Sequence, residues 1–158
     1  MITSRRDYLL RMIDEVGRLL ARVIFKHQNG RQQEALQLVV EGCERLFNLE
    51  ASQLFQFTPP QHFLMLTRDE SPEDGRDKVL LYAALNAEAG RVYLAMNNPD
   101  MARNSFLNSL RFSLRAQKEL PRENLPDYAP KIPELLEALQ GQPLDTETEA
   151  LLKESADA

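Results

Sequence analysis

The chain has 158 residues, of which 43% are hydrophobic and 27% charged, enough apolar material for one domain with its own core. Its net charge of −5 argues against a nucleic-acid-binding protein, because such proteins normally present a basic surface. The amino terminus lacks the apolar core of a secretion signal, and no run approaches the roughly 20 apolar residues of a membrane span, so we expect a cytoplasmic protein.

The first two predicted helices form a hairpin. Ser4 is suited to cap the first helix, and Asn29-Gly30 ends it because glycine accepts a left-handed conformation. The short turn requires the second helix to lie antiparallel to the first. On the second helix we expect one buried face, made of Ala35, Leu36, Val39, Val40, Cys43, Leu46 and Phe47.

The middle of the chain contains three further helix starts. Residues 48–71 are less regular, but Thr58-Pro59 has the pattern of a cap followed by proline at the first helical position. Ser71-Pro72-Glu73-Asp74 predicts the start of a long helix that runs to about residue 96. After the turn at Asn97-Asn98-Pro99, another helix should run to about residue 120, where Pro121 ends it.

Prolines dominate the next segment and predict a stiff connector, at positions 121, 126, 130 and 133. Two short helices should follow, over residues 132–140 and from Thr146 to about residue 156, with Thr146 and Glu149 at capping-box spacing. No strand is expected, so we predict an all-α fold. Residues 1–120 should form the helical domain, and residues 121–158 should pack on it or extend from it.

One helical pair resembles a tetratricopeptide (TPR) repeat. Ala89-Gly90 supplies the small pair of the first helix and Tyr93 the aromatic residue, while Ala102 is the small residue of the second helix, followed on its packing face by Phe106 and Ser109. Small side chains let two antiparallel helices approach closely. The first hairpin is a looser copy, with Ala35, Val39 and Gly42 at the corresponding positions. The resemblance implies a short superhelix of TPR-like antiparallel hairpins.

The chain also looks like members of a bacterial family whose first helix opens with Asp-Tyr-apolar-apolar-Arg-apolar-Ile, here residues 7–13. This resemblance covers most of residues 5–115. It implies a fold and brings no activity with it.

The TPR resemblance also implies candidate partner-binding residues. In TPR proteins the first helix of each unit lines a concave groove, which here would place Ala84, Ala87, Arg91 and Leu94 on the groove face, with Leu20, Ile24 and His27 as looser counterparts. Arg91 is the polar residue that we expect to contact a partner. The alternative for Arg91 is a salt bridge to a neighbouring helix.

The two ends of the chain differ in charge. Residues 1–31 contain seven basic and three acidic side chains, whereas residues 122–158 contain three basic and nine acidic ones. The ends could attract each other, or they could be two solvated surfaces of different composition. Arg11, Arg18 and Arg22 share one side of the first helix, where they could form ion pairs along its surface or recognise an anion.

No residue set in the sequence amounts to a catalytic, metal or cofactor site. The chain has only two histidines, His27 and His62, and its single cysteine, Cys43, lies on an apolar helix face where a thiol behaves as a small hydrophobe. A lone cysteine also excludes a disulfide within the chain. Phosphate-binding and nucleophile-elbow motifs are absent from the sequence. We therefore expect no enzyme and no cofactor.

These observations favour a protein-protein interaction or scaffold module that holds a peptide or a second copy of itself. Ala87, Arg91 and Leu94 would carry the contact. The alternative is a regulator that binds an anionic small molecule or a nucleotide through Arg18 and Arg22. Neither a nucleic acid nor a membrane is an expected partner.

Overall fold

The structure is a computed structural model that describes residues 5–157. Within this range the chain forms eight helices and no strand, which confirms the predicted all-α class. In chain order they are α1 (Arg5–Gln28), α2 (Gln32–Phe47), α3 (Ala51–Leu54), α4 (Pro59–Thr67), α5 (Pro72–Ala95), α6 (Pro99–Glu119), α7 (Ile132–Ala138) and α8 (Thr146–Asp157).

Local capping interactions set most of the helix boundaries. The Thr58 hydroxyl and the Ser71 hydroxyl accept hydrogen bonds from backbone N–H groups in the first turns of α4 and α5, and Asn98 does the same for α6. Gly30 adopts a φ of 74° after α1, as a helix-ending glycine should. These predicted starts and stops are confirmed, whereas the predicted cap at Ser4 lies outside the described residues.

The cap of α8 differs from the prediction. The N–H of Thr148 donates to Asp145 Oδ1 at 2.7 Å, and Thr146 is the first helical residue. The capping residue is therefore Asp145, one position earlier than predicted, since a cap must precede the helix. The predicted pairing of Thr146 with Glu149 was wrong. The preceding helix, α7, ends at Ala138 rather than at residue 140.

The buried face of α2 is rotated relative to the prediction. Val40 is exposed, whereas Leu38 and Gly42 are buried. A Cβ atom added at Gly42 would lie 3.2 Å from Leu85 of α5, so the missing side chain allows these two helices to come close. Contact with α5 therefore decides which side of α2 faces inward.

α5 is the central helix of the molecule. It packs against α1, α2, α4 and α6, and no residue from Asp74 to Tyr93 is exposed. A helix buried on all sides belongs to the core rather than to a surface groove. Of the residues expected on an open face of α5, Ala84 and Ala87 are therefore covered, whereas Leu94 at the end of the helix is exposed.

The core has two parts, and α5 and α6 contribute residues to both. The larger part joins α1, α2, α4 and α5. The smaller part lies between α6 and the two last helices, with Leu135 of α7, Leu139 just after α7 and Leu151 of α8 buried in it. The two carboxy-terminal helices thus pack on α6.

The crossing of α5 and α6 relies on a small residue. A Cβ atom added at Gly90 would lie 2.7 Å from the ring of Phe106, and Ala102 is buried in the same region. Further along the crossing, the Ser109 hydroxyl donates to the Ala83 carbonyl at 2.7 Å. This bond links a short side chain of α6 to the backbone of α5, which requires the two helices to lie close together.

Candidate functional site

The residues predicted for a partner groove lie in different environments. Ala87 is only 2% exposed and packs in the smaller core, so its methyl group is not available to a partner. Leu94 is half exposed near the end of α5. Arg91 pairs with Glu88 at 2.6 Å and lies 3.9 Å from Glu134 of α7. The closer ion pair of Arg91 is thus within α5, and its contact with the neighbouring helix α7 is the longer one.

The arginines on the exposed side of α1 form no enclosed site. Arg18 pairs with Asp14, four residues earlier, at 2.8 Å. Arg11 and Arg22 are exposed and have no ion-pair or hydrogen-bond partner among the described residues. An exposed ion pair such as Arg18–Asp14 contributes little to the free energy of folding or of binding.

The two ends of the chain do not pair with each other in the described structure, where no ion pair joins residues 5–31 to residues 122–156. Two amino-terminal arginines pair with acids just before α5 and in its first turn, and two carboxy-terminal acids pair with basic residues of α6. The shortest such pairs are Arg5–Glu70 at 3.3 Å, Arg6–Asp74 at 3.7 Å, Arg111–Asp145 at 2.9 Å and Lys118–Glu154 at 3.0 Å.

The histidines and the cysteine are part of the packing. His62 is buried, with its Nε2 atom 2.8 Å from the Leu54 carbonyl oxygen, and His27 lies 2.8 Å from the side-chain oxygen of Gln32. Burial, with a smaller contribution from the neighbouring glutamate, raises the pKa of the Cys43 thiol to about 12, so it is protonated at neutral pH. Within residues 5–157, no group of three or more potential ligands is placed to hold a metal ion.

A different surface combines apolar and polar groups. The segment after α3, the start of α4 and the facing sides of α5 and α6 enclose a groove of about 420 Å³. We call it the aromatic groove. It is lined by Phe55, Phe57, Pro59, His62, Tyr82, Asn86, Asn104, Ser105, Leu107, Asn108 and Arg111.

Three asparagine side chains line the aromatic groove. Asn108 Nδ2 donates to Asn86 Oδ1 at 3.0 Å, and Asn86 Nδ2 in turn donates to the Tyr82 carbonyl at 2.9 Å. Arg111 is fixed from outside by Asp145, at 2.9 Å. These bonds hold the amides in defined orientations. Asn104 remains exposed and has no hydrogen-bond partner among the described residues.

Two phenylalanines form the rim. Phe55 is 77% exposed and Phe57 is 39% exposed. They follow α3, a one-turn helix that Glu50 and Gln53 cap reciprocally. Large apolar side chains so exposed beside a concavity are typical of interaction surfaces.

Sequence reasoning missed both α3 and the aromatic groove. The groove brings together residues from the segment after α3 and from α4, α5 and α6, which are distant in the chain. The sequence contained one usable signal, the Phe-Gln-Phe segment at positions 55–57, which places two aromatic residues in an irregular polar region. Such a segment, lacking the periodicity of a buried helix, is a candidate for an exposed contact.

None of the helices over residues 5–157 combines the length and apolarity needed to cross a membrane. Comparisons of the chain with protein-family models, with curated proteins and with solved structures gave no match.

Proposed function

We propose that this protein is a helical protein-interaction module that binds an extended peptide segment of a partner in the aromatic groove. The exposure of Phe55 and Phe57 beside a concavity that asparagine side chains also line carries this proposal. It gives an apolar contact and a hydrogen-bonding contact in one place.

The chemistry of the aromatic groove suits a peptide. An extended peptide presents both N–H and C=O groups, and an asparagine side chain can donate to one and accept from the other. Asn104 has no hydrogen-bond partner among the described residues, so its amide can both donate to a peptide and accept from it. Apolar side chains of the peptide would cover Phe55 and Phe57, and buried aromatic contacts of this kind usually dominate binding energy.

In this proposal the pairs α1–α2 and α5–α6 are TPR-like hairpins. Buried small residues support it, because Ala35 and Ala102 lie inside the core and Gly90 lies against the Phe106 ring. Because most of α5 is covered, the peptide would not bind along this helix as a ligand of a TPR groove does. The peptide site would be at the edge where α4 meets α5 and α6.

A peptide-display selection against the purified full-length chain tests the proposal. We expect enrichment of peptides that contain aromatic or large aliphatic residues. Combined Phe55→Ser and Phe57→Ser substitutions should weaken their binding by about tenfold or more. Phe25→Ser is the matched control, since Phe25 is 61% exposed on α1 and does not line the aromatic groove.

Circular dichroism of each variant shows that the comparison is between folded proteins. A selection that enriches no peptide, or peptides that bind the Phe55 and Phe57 double variant as tightly as the unaltered chain, would refute the proposal. If the occupant is a second copy of the chain, light scattering should show a dimer that the double variant dissociates.

A further inference from the structure

A proline-rich segment, residues 121–131, crosses the molecule between α6 and α7, and we call it the proline strap. Its path is held by Arg76, a side chain of α5 that is only 4% exposed. Arg76 donates hydrogen bonds to three strap carbonyls, those of Pro121 at 3.2 Å, Glu123 at 2.7 Å and Asn124 at 3.3 Å. These bonds fix the first half of the strap against the helix.

The attachment leaves Arg76 without a free donor. Its Nε and Nη2 atoms donate to Asp77 Oδ1 at 3.0 and 2.9 Å, so all five N–H groups of the guanidinium are engaged. The Tyr128 hydroxyl holds the second half of the strap, because it donates to the Asp77 carbonyl at 3.0 Å. Arg76 therefore fastens the strap and offers no hydrogen bond to a ligand.

The fastened strap bounds a cavity of about 770 Å³ between itself and the sides of α5 and α6. This volume is in the range of sites for small organic molecules. Proline has a fixed φ and no N–H donor, so the prolines at positions 121, 126 and 130 prevent the strap from folding into a helix that would fill the space. The cavity is thus formed by the chain alone.

Most of the cavity wall is apolar. Leu80 of α5 and Ala116 of α6 are buried side chains of this wall, whereas Leu125 of the strap is 51% exposed. Ala129, Ile132 and four prolines also line the cavity. A ligand with apolar surface would cover Leu125, and removing apolar surface from water is favourable in proportion to the area covered.

The charged side chains of the lining balance one another. Apart from the fastened Arg76, they are two basic and two acidic residues, Arg122, Lys131, Asp127 and Glu134. All four are exposed, and Arg122 Nε also donates to the Gln117 carbonyl at 2.6 Å. The cavity therefore presents no net charge. A charged group brought against its apolar wall would lose water without gaining a net opposite charge, which is unfavourable.

We propose that this cavity binds an uncharged, largely apolar small molecule between the proline strap and the sides of α5 and α6. The volume favours a small molecule, the wall favours an apolar one, and the balanced charges favour an uncharged one. The cavity shares no lining residue with the aromatic groove, so this inference does not depend on the proposed peptide binding.

The test uses the full-length chain and N-phenyl-1-naphthylamine, an uncharged aromatic probe whose fluorescence rises in apolar surroundings. Titration should give a saturable increase in fluorescence with one site per chain. Displacement by 1-decanol, sodium decanoate and decylammonium chloride then compares an uncharged molecule with an anion and a cation of the same chain length. The concentration of 1-decanol needed should be lower than that of either charged molecule by about tenfold or more.

A matched pair of substitutions locates the site. Leu125→Asp places a charge in the apolar wall at a half-exposed position and should weaken probe binding by about tenfold or more. Leu64→Asp is the control and should retain the affinity, because Leu64 is 59% exposed on α4 and does not line the cavity. The Phe55→Ser and Phe57→Ser variant should also retain it. Circular dichroism of each variant verifies that it is folded.

The inference is overturned if no saturable binding occurs, if a charged displacer is as effective as 1-decanol, or if the Leu125→Asp variant binds the probe as the unaltered chain does. Loss of binding in the Leu64→Asp variant or in the double phenylalanine variant would place the probe elsewhere and would overturn it too. A failure of peptide selection with intact probe binding would affect only the proposed function.

Discussion

At the scale of single residues, the side chain with the greatest structural consequence is Arg76. Its charge is buried, and its partners lie 45 to 48 positions away in the chain as well as next to it. Arginine side chains usually lie at the protein surface and are rarely buried unless their charge is paired. The cost of removing this charge from water is offset only because Asp77 and three backbone carbonyls surround it, those of Pro121, Glu123 and Asn124.

We expect Arg76→Met to lower the free energy of unfolding by about 3–5 kcal/mol, since it leaves buried carbonyls and Asp77 without their donor. Arg76→Lys should recover only part of the loss, because an ammonium group cannot reproduce five donors in a planar array. The measurement is urea unfolding followed by circular dichroism. Arg18→Met, at an exposed ion pair, should cost about 0.5 kcal/mol or less. Equal effects at the two positions would contradict the role of Arg76.

The Tyr82 hydroxyl and the Cys43 thiol should make the folded chain less stable in alkali. Burial, with a contribution from Cys43, raises the pKa of Tyr82 to about 12, and burial also raises the pKa of Cys43 to about 12. Both groups bind their protons more tightly in the folded chain than in the unfolded chain, whose ordinary pKa values are 10.0 and 9.0. Their stabilising contribution is complete below about pH 9 and is lost as the pH rises toward 12.

Urea midpoints measured from pH 8 to pH 11 should therefore fall, and Tyr82→Phe should make the decline shallower. That variant keeps the ring that contacts Phe47 and Phe112 edge-on, at centroid distances of 4.9 and 5.0 Å, and removes one titrating group. A midpoint that does not change over this pH range would show that neither group is protected from ionisation.

At the scale of elements, the crossing of α5 and α6 depends on the absence of a side chain. Gly90 is in the middle of a helix, where glycine normally lowers stability. The ring of Phe106 occupies the space that a side chain would need. The helix accepts a poor helix former because closer packing compensates for it.

A matched pair of substitutions tests this account. Gly17→Ala on α1, where nothing lies within 4 Å of the added atom, should raise stability by about 1 kcal/mol. Gly90→Ala should lower stability relative to Gly17→Ala by about 1–3 kcal/mol, since Phe106 must move. Thermal unfolding of both variants provides the comparison, and Phe106→Leu should reduce the penalty at Gly90. If both glycine substitutions stabilise equally, the crossing is not closely packed at Gly90.

At the scale of the whole molecule, the carboxy-terminal helices contribute buried residues to the smaller core. The smaller core combines Ala102, Phe106 and Leu110 of α6 with Leu135 of α7 and Leu151 of α8. The first three residues belong to the predicted domain 1–120 and the last two to the predicted segment 121–158. The two parts therefore share a buried surface.

Leu135→Ala should accordingly lower the free energy of unfolding by about 2–5 kcal/mol, because Leu135 is fully buried. Hydrogen exchange should show faster exchange in α6 as well as in α7. Leu136→Ala, at the half-buried neighbour, should have a smaller effect. Faster exchange confined to α7 and α8 would show that residues 121–158 unfold independently.

The features that could be predicted from the sequence depend mostly on interactions between residues close together in the chain. The starts at Thr58, Ser71 and Asn98 and the stop at Gly30 depend on hydrogen bonds and backbone preferences within three or four residues, so short sequence patterns are sufficient to identify them. The all-α class follows from several such segments with helical periodicity. Even here the cap of α8 was misplaced by one residue, since Asp145 and Thr146 are both suited to the position.

The rest required the tertiary structure. The covered surface of α5, the rotated face of α2 and the burial of Ala87 depend on which helices lie beside them, and a periodic pattern does not contain that information. The aromatic groove and the hydrogen bonds of Arg76 to Pro121, Glu123 and Asn124 join residues far apart in the chain. Local sequence determines where helices begin and end because those energies are local, whereas surfaces are decided by long-range packing that only the folded chain specifies.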